Sequence, residues 1–139
     1  MGKINMVRVI LGGLMAGVLI NIGEFILNMP ILGQRWNEAM QALNRPSMDS
    51  QSPAPFILLC LVLGILLVWV YAAIRPRYGA GPRTAISAGL MVWLLASLFP
   101  TAGMLPYDLF PRSLLAYGVA WQLFELPLAA LVGAWIYRE

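Results

Sequence analysis

The stretch FILLCLVLGILLVWVYAAI at residues 56–74 carries no charged side chain and no strongly polar side chain before Tyr71. A transmembrane α-helix needs about 20 consecutive, mostly apolar residues, and this stretch approaches that length. A Ser- and Pro-rich segment precedes it at residues 44–55, and a short basic loop, RPRYGAGPR, follows at residues 75–83. The stretch therefore predicts a helix that crosses a lipid bilayer between two polar connections.

Three further apolar segments occupy much of the remaining chain, at about residues 7–29, 84–104 and 114–137. Of the 139 residues, 60% are hydrophobic and 11% are charged, whereas a soluble domain carries about 25% charged residues. The first segment is too long for a cleaved signal peptide and does not end in a small-residue site. We therefore expect one transmembrane domain over residues 1–139, an all-α polytopic bundle of four transmembrane helices.

Residues 31–44, between the first two segments, follow a different pattern. Leu32, Trp36, Met40 and Leu43 fall on one helical face, and the polar side chains fall largely elsewhere. This pattern predicts a short amphipathic helix that lies at the membrane interface, with Trp36 as its anchor. Pro30 is expected to end the first span just before it.

Two glutamates lie inside segments that should cross the bilayer, Glu24 in the first and Glu125 in the last. A carboxyl group at membrane depth is costly, rarely faces lipid and by default marks a functional site. Each belongs to a stripe of small and polar residues on one helix face, because the members are three or four positions apart. The stripes are Gly13, Gly17, Asn21, Glu24 and Asn28 on the first segment, and Gly118, Gln122, Glu125, Ala129 and Gly133 on the last.

Packed as antiparallel neighbours, the first and last segments can align these stripes. The register pairs Asn21 with Glu125 and Glu24 with Gln122, and it also pairs Asn28 with Gly118, Gly17 with Ala129 and Gly13 with Gly133. Small residues let helix backbones approach closely in lipid. We therefore expect the glycines and Ala129 to be helix-packing positions, and the five polar residues to form a ligand or ion site at the seam.

Three roles are open for the two carboxyl groups. They hold helices together when protonated or bonded to amides, they bind a proton or a hard cation that prefers oxygen ligands, or they form a polar pocket for an organic solute or a lipid head group. Glu125 lies near mid-membrane with no Lys or Arg at its level. Burial without a counter-ion favours a neutral carboxyl, so Glu125 is expected to be protonated.

The absence of histidine from the sequence excludes several kinds of site. Haem ligation through imidazole, Glu-x-x-His di-iron sites and Ser-His-Asp triads all require it. No phosphate-binding glycine loop is present, no Lys/Arg cluster indicates nucleic-acid binding, and the single cysteine, Cys60, lies in an apolar run. We expect no cofactor and no resident metal, and two carboxyls without a nucleophile give little reason to expect an enzyme.

The basic residues divide unequally between the two ends of the predicted bundle. Lys3, Arg8, Arg75, Arg77, Arg83 and Arg138 fall at one end, and Arg35, Arg45 and Arg112 fall at the other. Positive residues favour the cytoplasmic side of a membrane. Both termini and the loop at residues 75–83 are therefore expected in the cytoplasm.

The segment ILGQRWNEAM at residues 31–40 resembles a Leu/Phe-Gly-x-x-Trp-x-x-x-Met motif. It is typical of a family of bacterial four-helix integral membrane proteins defined by a domain of unknown function. In that family an N-terminal span precedes the motif and three spans follow it, so the resemblance covers most of the chain in layout. Members often carry a histidine in the last span, which this chain lacks. The resemblance implies a bacterial inner-membrane location and no particular activity.

We therefore expect a small integral membrane protein that binds or conducts a proton, a hard cation or a small solute at the seam between its first and last helices. The alternative is a non-catalytic accessory or assembly subunit of a larger membrane complex, which the small size and few polar groups would suit. The expected partners are the lipid bilayer and either further copies of the chain or such a complex, and nucleic acid is not among them.

Overall fold

Apolar segments and turn-forming residues alternate along the chain, and the computed structural model, which describes residues 2–138, is correspondingly helical. Four helices are long and apolar enough to cross a membrane: Met6–Ile31, Ala54–Tyr78, Pro82–Tyr107 and Arg112–Ile136. The α-helices are α1 (Met6–Ile26), α2 (Gly33–Ala42), α3 (Ala54–Tyr78), α4 (Pro82–Trp93), α5 (Phe99–Met104) and α6 (Arg112–Ile136). The prediction of an all-α bundle with four membrane-spanning helices is confirmed.

The first and third spans each contain a π-helical turn next to a proline. Leu27–Ile31 follows α1 and includes Pro30, and Leu94–Leu98 joins α4 to α5 ahead of Pro100. A proline removes one backbone donor and crowds the preceding turn, and a wider turn accommodates it. The helix therefore continues through Pro30 to Ile31 instead of ending before it, and the Leu32 N–H closes the turn on the Leu27 carbonyl at 2.8 Å.

The four spans form a ring in which each span packs on its neighbours in sequence. Helix α1 packs most extensively on α3 and also packs on α6, while α4 packs on α6 and, less extensively, on α3. The last span thus returns to the first, which places the two glutamate-bearing helices side by side. Contacts between α3 and α6 fill the centre of the ring.

Three glycines set the close approach of α1 to α3. A Cβ atom on Gly64 would collide with the backbones of Gly13 and Gly17, and one on Gly13 would collide with the backbone of Ile65. In lipid, helices associate largely through packing, and small residues allow the backbones to come together. The close contact between these two helices therefore requires glycine, whose side chain is a single hydrogen atom.

Helix α4 is held against α6 by a backbone approach and a hydrogen bond. A Cβ atom on Gly89 would lie 2.8 Å from the backbone nitrogen of Pro127. The indole N–H of Trp93 donates to the Val119 carbonyl at 2.9 Å. These contacts occupy one flank of α6 and leave another flank for α1.

The N-terminal and C-terminal segments meet at one end of the bundle. The backbone N–H of Asn5 donates to the Tyr137 hydroxyl at 3.3 Å. The rings of Tyr71 and Tyr137 meet edge to face with centroids 6.1 Å apart, and the Tyr71 hydroxyl accepts from the Gly81 N–H at 3.3 Å. The start of α1, the end of α3, the start of α4 and the end of α6 therefore share this end.

Helix α2 covers the opposite end of the bundle. Its apolar side joins a buried cluster of Leu27, Leu32, Ala39 and Leu114. The side chains of Gln34, Arg35 and Glu38 on its other side are exposed, as its amphipathic pattern predicts. Helix α2 thus covers the ends of the first and last spans.

Candidate functional site

The adjacent helices α1 and α6 bring Glu24 and Glu125 together beneath α2. Their carboxyl groups lie close enough to interact. Glu24 is partly buried, and Glu125 is 7% exposed. Residues 9–34 and 113–137 contain no Lys or Arg, so neither helix supplies a positive charge near this carboxyl pair.

Three N–H groups donate to the carboxyl pair. Gln122 Nε2 donates to Glu24 Oε1 at 2.6 Å, and Asn28 Nδ2 donates to Glu24 Oε2 at 2.8 Å. Trp121 Nε1 donates to Glu125 Oε1 at 3.3 Å. The remaining oxygen, Glu125 Oε2, is buried and receives no donor from the part of the chain that the structure describes. Both oxygens of Glu24 therefore act as acceptors.

This hydrogen bonding favours one proton within the carboxyl pair. Ionised carboxylates only accept hydrogen bonds, so two of them cannot bond to each other, whereas a protonated carboxyl can donate. Glu24 already accepts an N–H on each oxygen, which suits its ionised form. Glu125 Oε2 has no donor and is the oxygen on which a proton completes the bonding. The pattern of N–H donors therefore favours a proton on Glu125 over one on Glu24.

Trp36 fixes the direction in which Asn28 bonds to Glu24. An indole N–H can only donate, and that of Trp36 points at Asn28 Oδ1 at 2.8 Å. The amide of Asn28 must therefore turn its NH₂ group towards Glu24. The Trp36 ring also packs edge to face on Phe110, with centroids 5.6 Å apart. The sequence predicted Trp36 only as a membrane anchor, and its indole N–H also bonds to the polar site.

Gly23 makes room for the Glu125 carboxyl on the surface of α1. A Cβ atom at position 23 would collide with Glu125 Oε1 and would lie 3.0 Å from Glu125 Cδ. The side chain of Glu125 can therefore reach Glu24 only because the residue beside it has no side chain.

A cavity of about 940 Å³ opens beside Glu24, under α2 and between the outer parts of α1 and α3. Its polar lining includes Glu24, Asn28 and Gln122. Four aromatic rings line it as well: Phe25, Trp36, Phe56 and Phe110. The carboxyl pair thus has one buried member, Glu125, and one member that faces an accessible, mostly apolar space.

The structure brings together four of the five polar residues predicted for the seam. Glu24 meets Gln122 as the predicted register requires, and Asn28 and Glu125 lie in the same cluster. The predicted pairing of Asn21 with Glu125 is wrong. Asn21 Nδ2 donates to the Ile57 carbonyl on α3 at 3.3 Å and to the Gly17 carbonyl at 3.1 Å.

The small residues of the predicted stripes do not all lie at the contact between α1 and α6. Gly13 and Gly17 pack on α3 and not on α6, so their predicted pairings with Gly133 and Ala129 are wrong. Gly12 takes the place of Gly13, since a Cβ on Gly12 would lie 2.7 Å from the Gly133 carbonyl oxygen. The reason is that α1 is packed on two sides, and adjacent residues face different helices.

Two other members of the stripes behave differently from each other. Ala129 is fully buried in the main apolar cluster, consistent with a packing position. Gly118 faces open space, because a Cβ there would meet no atom within 4 Å. Gly118 is therefore not a packing residue, and its predicted contact with Asn28 is absent.

Three residues of the site were not predicted from the sequence as site residues: Gly23, Trp36 and Trp121. Trp121 lies four residues before Glu125 on α6, so helical spacing was a usable signal for it. Gly23 was adjacent to Glu24 but lay outside the chosen stripe. The hydrogen bond from Trp36 to Asn28 could not be predicted from local sequence, because it depends on how the chain that follows α1 folds back over that helix.

No group of three or more His, Cys, Asp or Glu side chains that could hold a metal ion occurs within residues 2–138. The carboxyl pair is instead surrounded by N–H donors. Comparisons of this chain with protein-family models, with curated proteins and with solved structures found no match.

Proposed function

We propose that this protein is a membrane-embedded binding protein in which the carboxyl pair holds a proton and a small solute reaches Glu24 through the cavity. One observation carries the proposal: two carboxyl groups on membrane-spanning helices lie close enough to interact, and one of them, Glu24, lines a cavity of about 940 Å³. Carboxyl groups at membrane depth commonly mark ion or substrate pathways. The site has both the titratable group and the space for a ligand.

A purely structural role accounts for less of the arrangement. Amide side chains alone can hydrogen-bond helices together without a charge. Here Glu24 faces the cavity and accepts N–H bonds on both oxygens, which favours a negative charge that a structural clamp does not need. The buried Glu125 and the accessible Glu24 also differ in environment, as the two members of a proton-binding pair would.

The hydrogen-bond donors favour a proton over a hard metal cation. Ca²⁺ and Mg²⁺ are bound by oxygen ligands. Asn28, Gln122 and Trp121 all present N–H groups to the carboxyl oxygens. The carbonyl of Asn28 is already occupied by Trp36. The groups around the carboxyl pair therefore stabilise a negative charge without supplying further oxygens to a metal.

The proposal includes a location in the bacterial inner membrane, with both termini in the cytoplasm. It is supported by the unequal division of Lys and Arg between the two ends and by the resemblance of residues 31–40 to the bacterial family motif. In this orientation α2 and the cavity face the periplasmic side. The solute and the proton would then reach Glu24 from outside the cell.

Infrared spectroscopy of the purified protein tests for the proton directly. We expect a protonated carboxyl band in the wild type at neutral pH, and its loss in Glu125→Gln. The band should persist in Glu24→Gln and in Glu38→Gln, because Glu38 is an exposed carboxylate on α2. A wild-type spectrum with only ionised carboxylate bands would refute the proposal.

A further inference from the structure

The chemistry of the cavity identifies the class of solute that it fits. We infer that the cavity binds an amphipathic organic cation, an ammonium or phosphonium centre on an apolar body, with its charge placed against Glu24. This inference rests on the proposed function, because it uses the ionised Glu24 of the carboxyl pair. It goes further by naming the charge and shape of the ligand.

The charges that line the cavity favour a positively charged ligand. Glu24 and Asp49 both line the cavity, and no Lys or Arg side chain is among its described lining residues. With one proton in the carboxyl pair, its net charge is −1. A partly buried charge without a counter-ion is costly, so a ligand with a single positive charge would neutralise the carboxyl pair. An anion would be repelled by the same groups.

The residues that line the cavity indicate the shape and polarity of the uncharged part of the ligand. Trp36 and Phe110 lie under α2, and Phe25 and Phe56 flank the space between α1 and α3. Aromatic faces attract cations that have lost water, and they also pack against apolar groups. Met29, Met40 and Met48 line the cavity too, and flexible thioether side chains adapt to different ligand shapes.

The size of the cavity and its access are consistent with such a molecule. Drug-sized ligands occupy pockets of about 300–1,000 Å³, and this cavity measures about 940 Å³. Phe25 is 62% exposed, Phe56 53% and Ile57 46%, so the cavity is open on the side that faces lipid. An amphipathic cation that has partitioned into the membrane can enter from there.

The cation should compete with a second proton. Binding neutralises Glu24 while the first proton stays on Glu125, and protonation of Glu24 removes the same negative charge. The other titratable groups near this position are Glu125 on α6, Cys60 on α3 and Asp49 in the connection after α2. Affinity for the cation is therefore expected to fall at lower pH.

Two rigid ions of the same shape and opposite charge provide the test. Equilibrium dialysis of the detergent-solubilised protein would measure the affinities of tetraphenylphosphonium and tetraphenylborate. We expect the phosphonium ion to bind at least tenfold more tightly than the borate, and more weakly at lower pH. Glu24→Gln should weaken phosphonium binding at least tenfold, whereas Glu38→Gln should not change it.

A second variant keeps the test decisive if Glu24→Gln fails to fold, as judged by circular dichroism and gel filtration. Ser52 is exposed and lines the cavity, so Ser52→Arg should weaken phosphonium binding several-fold and spare the infrared band of Glu125. Equal binding of both ions, or no phosphonium binding by a wild type that shows this band, overturns the inference and leaves the proposed function standing. Absence of the band defeats the proposed function itself.

Discussion

Gly23 determines how closely the Glu125 carboxyl approaches α1. A methyl group at this position would collide with Glu125 Oε1, and the flexible carboxyl is what must move. We expect Gly23→Ala to separate the carboxyl pair and to shift or broaden the protonated carboxyl band in the infrared spectrum. Gly118→Ala is the matched control, because a Cβ there meets no atom within 4 Å. Identical spectra for the two variants would contradict this account of the site.

Trp36 offers a second test at a single residue. Trp36→Phe keeps an aromatic ring beside Phe110 but removes the N–H that bonds to Asn28. We expect the free energy of unfolding to fall by about 1 kcal/mol, the usual contribution of one hydrogen bond, in denaturation followed by circular dichroism. Trp69→Phe is the control, since Trp69 is a tryptophan that is 44% exposed on α3. Equal losses in the two variants would show that the N–H of Trp36 contributes nothing.

Part of this site was predictable from residue spacing. Helical periodicity placed Glu24 level with Gln122, and that contact is present. Periodicity could not show which neighbour each residue faces, so Asn21 was assigned to α6 although it bonds to α3. The proximity of Glu24 to Glu125 was also not predicted, because the register paired each carboxyl with an amide side chain.

At the scale of the helices, α1 has two packing faces that lie one residue apart. Gly13 and Gly17 belong to the face that contacts α3, and Gly12 and Ala16 belong to the face that contacts Gly133 on α6. The stripe predicted on α1 therefore assigned to α6 small residues that in fact contact α3. The positions of the long helices were predictable from apolar length, whereas the π-helical turns were not, because they depend on local accommodation of proline.

The α1–α3 interface should tolerate very little added volume. A methyl group at position 64 would collide with the backbones of Gly13 and Gly17, and backbones cannot move aside as a side chain can. We expect Gly64→Ala to lower the free energy of unfolding by about 1–3 kcal/mol, the range for overpacked interiors. Gly103→Ala is the control in α5, where a Cβ meets no atom within 4 Å, and thermal unfolding in detergent compares the two. Similar stability of both variants would mean that α1 and α3 are not packed this closely.

At the scale of the whole molecule, the later spans are joined by short connections, residues 79–81 and 108–111, whereas residues 32–53 join the first span to the second. Sequential spans are neighbours, and the ring closes between α6 and α1. The sequence predicted this last contact from the two glutamate stripes, and the contact is present although much of its register differs. What the sequence could not provide was the cavity, which is lined by residues of α1, α2 and α3 together.

The orientation of the bundle in the membrane is testable by cysteine labelling. In a Cys60→Ala background, Ser47→Cys and Ala80→Cys place single thiols at exposed positions on opposite ends. We expect a membrane-impermeant maleimide to label position 47 in intact cells and position 80 only after the membrane is permeabilised, because the end with more Lys and Arg should be cytoplasmic. Ala80 is preferable to the neighbouring Gly81, whose φ of 136° disfavours a side chain. The reverse labelling pattern would place the cavity on the cytoplasmic side.

Asn28 connects the charge on Glu24 to the position of α2 through hydrogen bonds that run in one direction. Its carbonyl accepts from Trp36, and its NH₂ group donates to Glu24 Oε2. A proton on Glu24 Oε2 would add an O–H donor, and Asn28 could accept from that O–H only by turning its carbonyl away from Trp36. The indole then faces an NH₂ group, and two donors cannot bond. The position of Trp36 on α2 is thus coupled through Asn28 to the hydrogen bonding of Glu24 on α1.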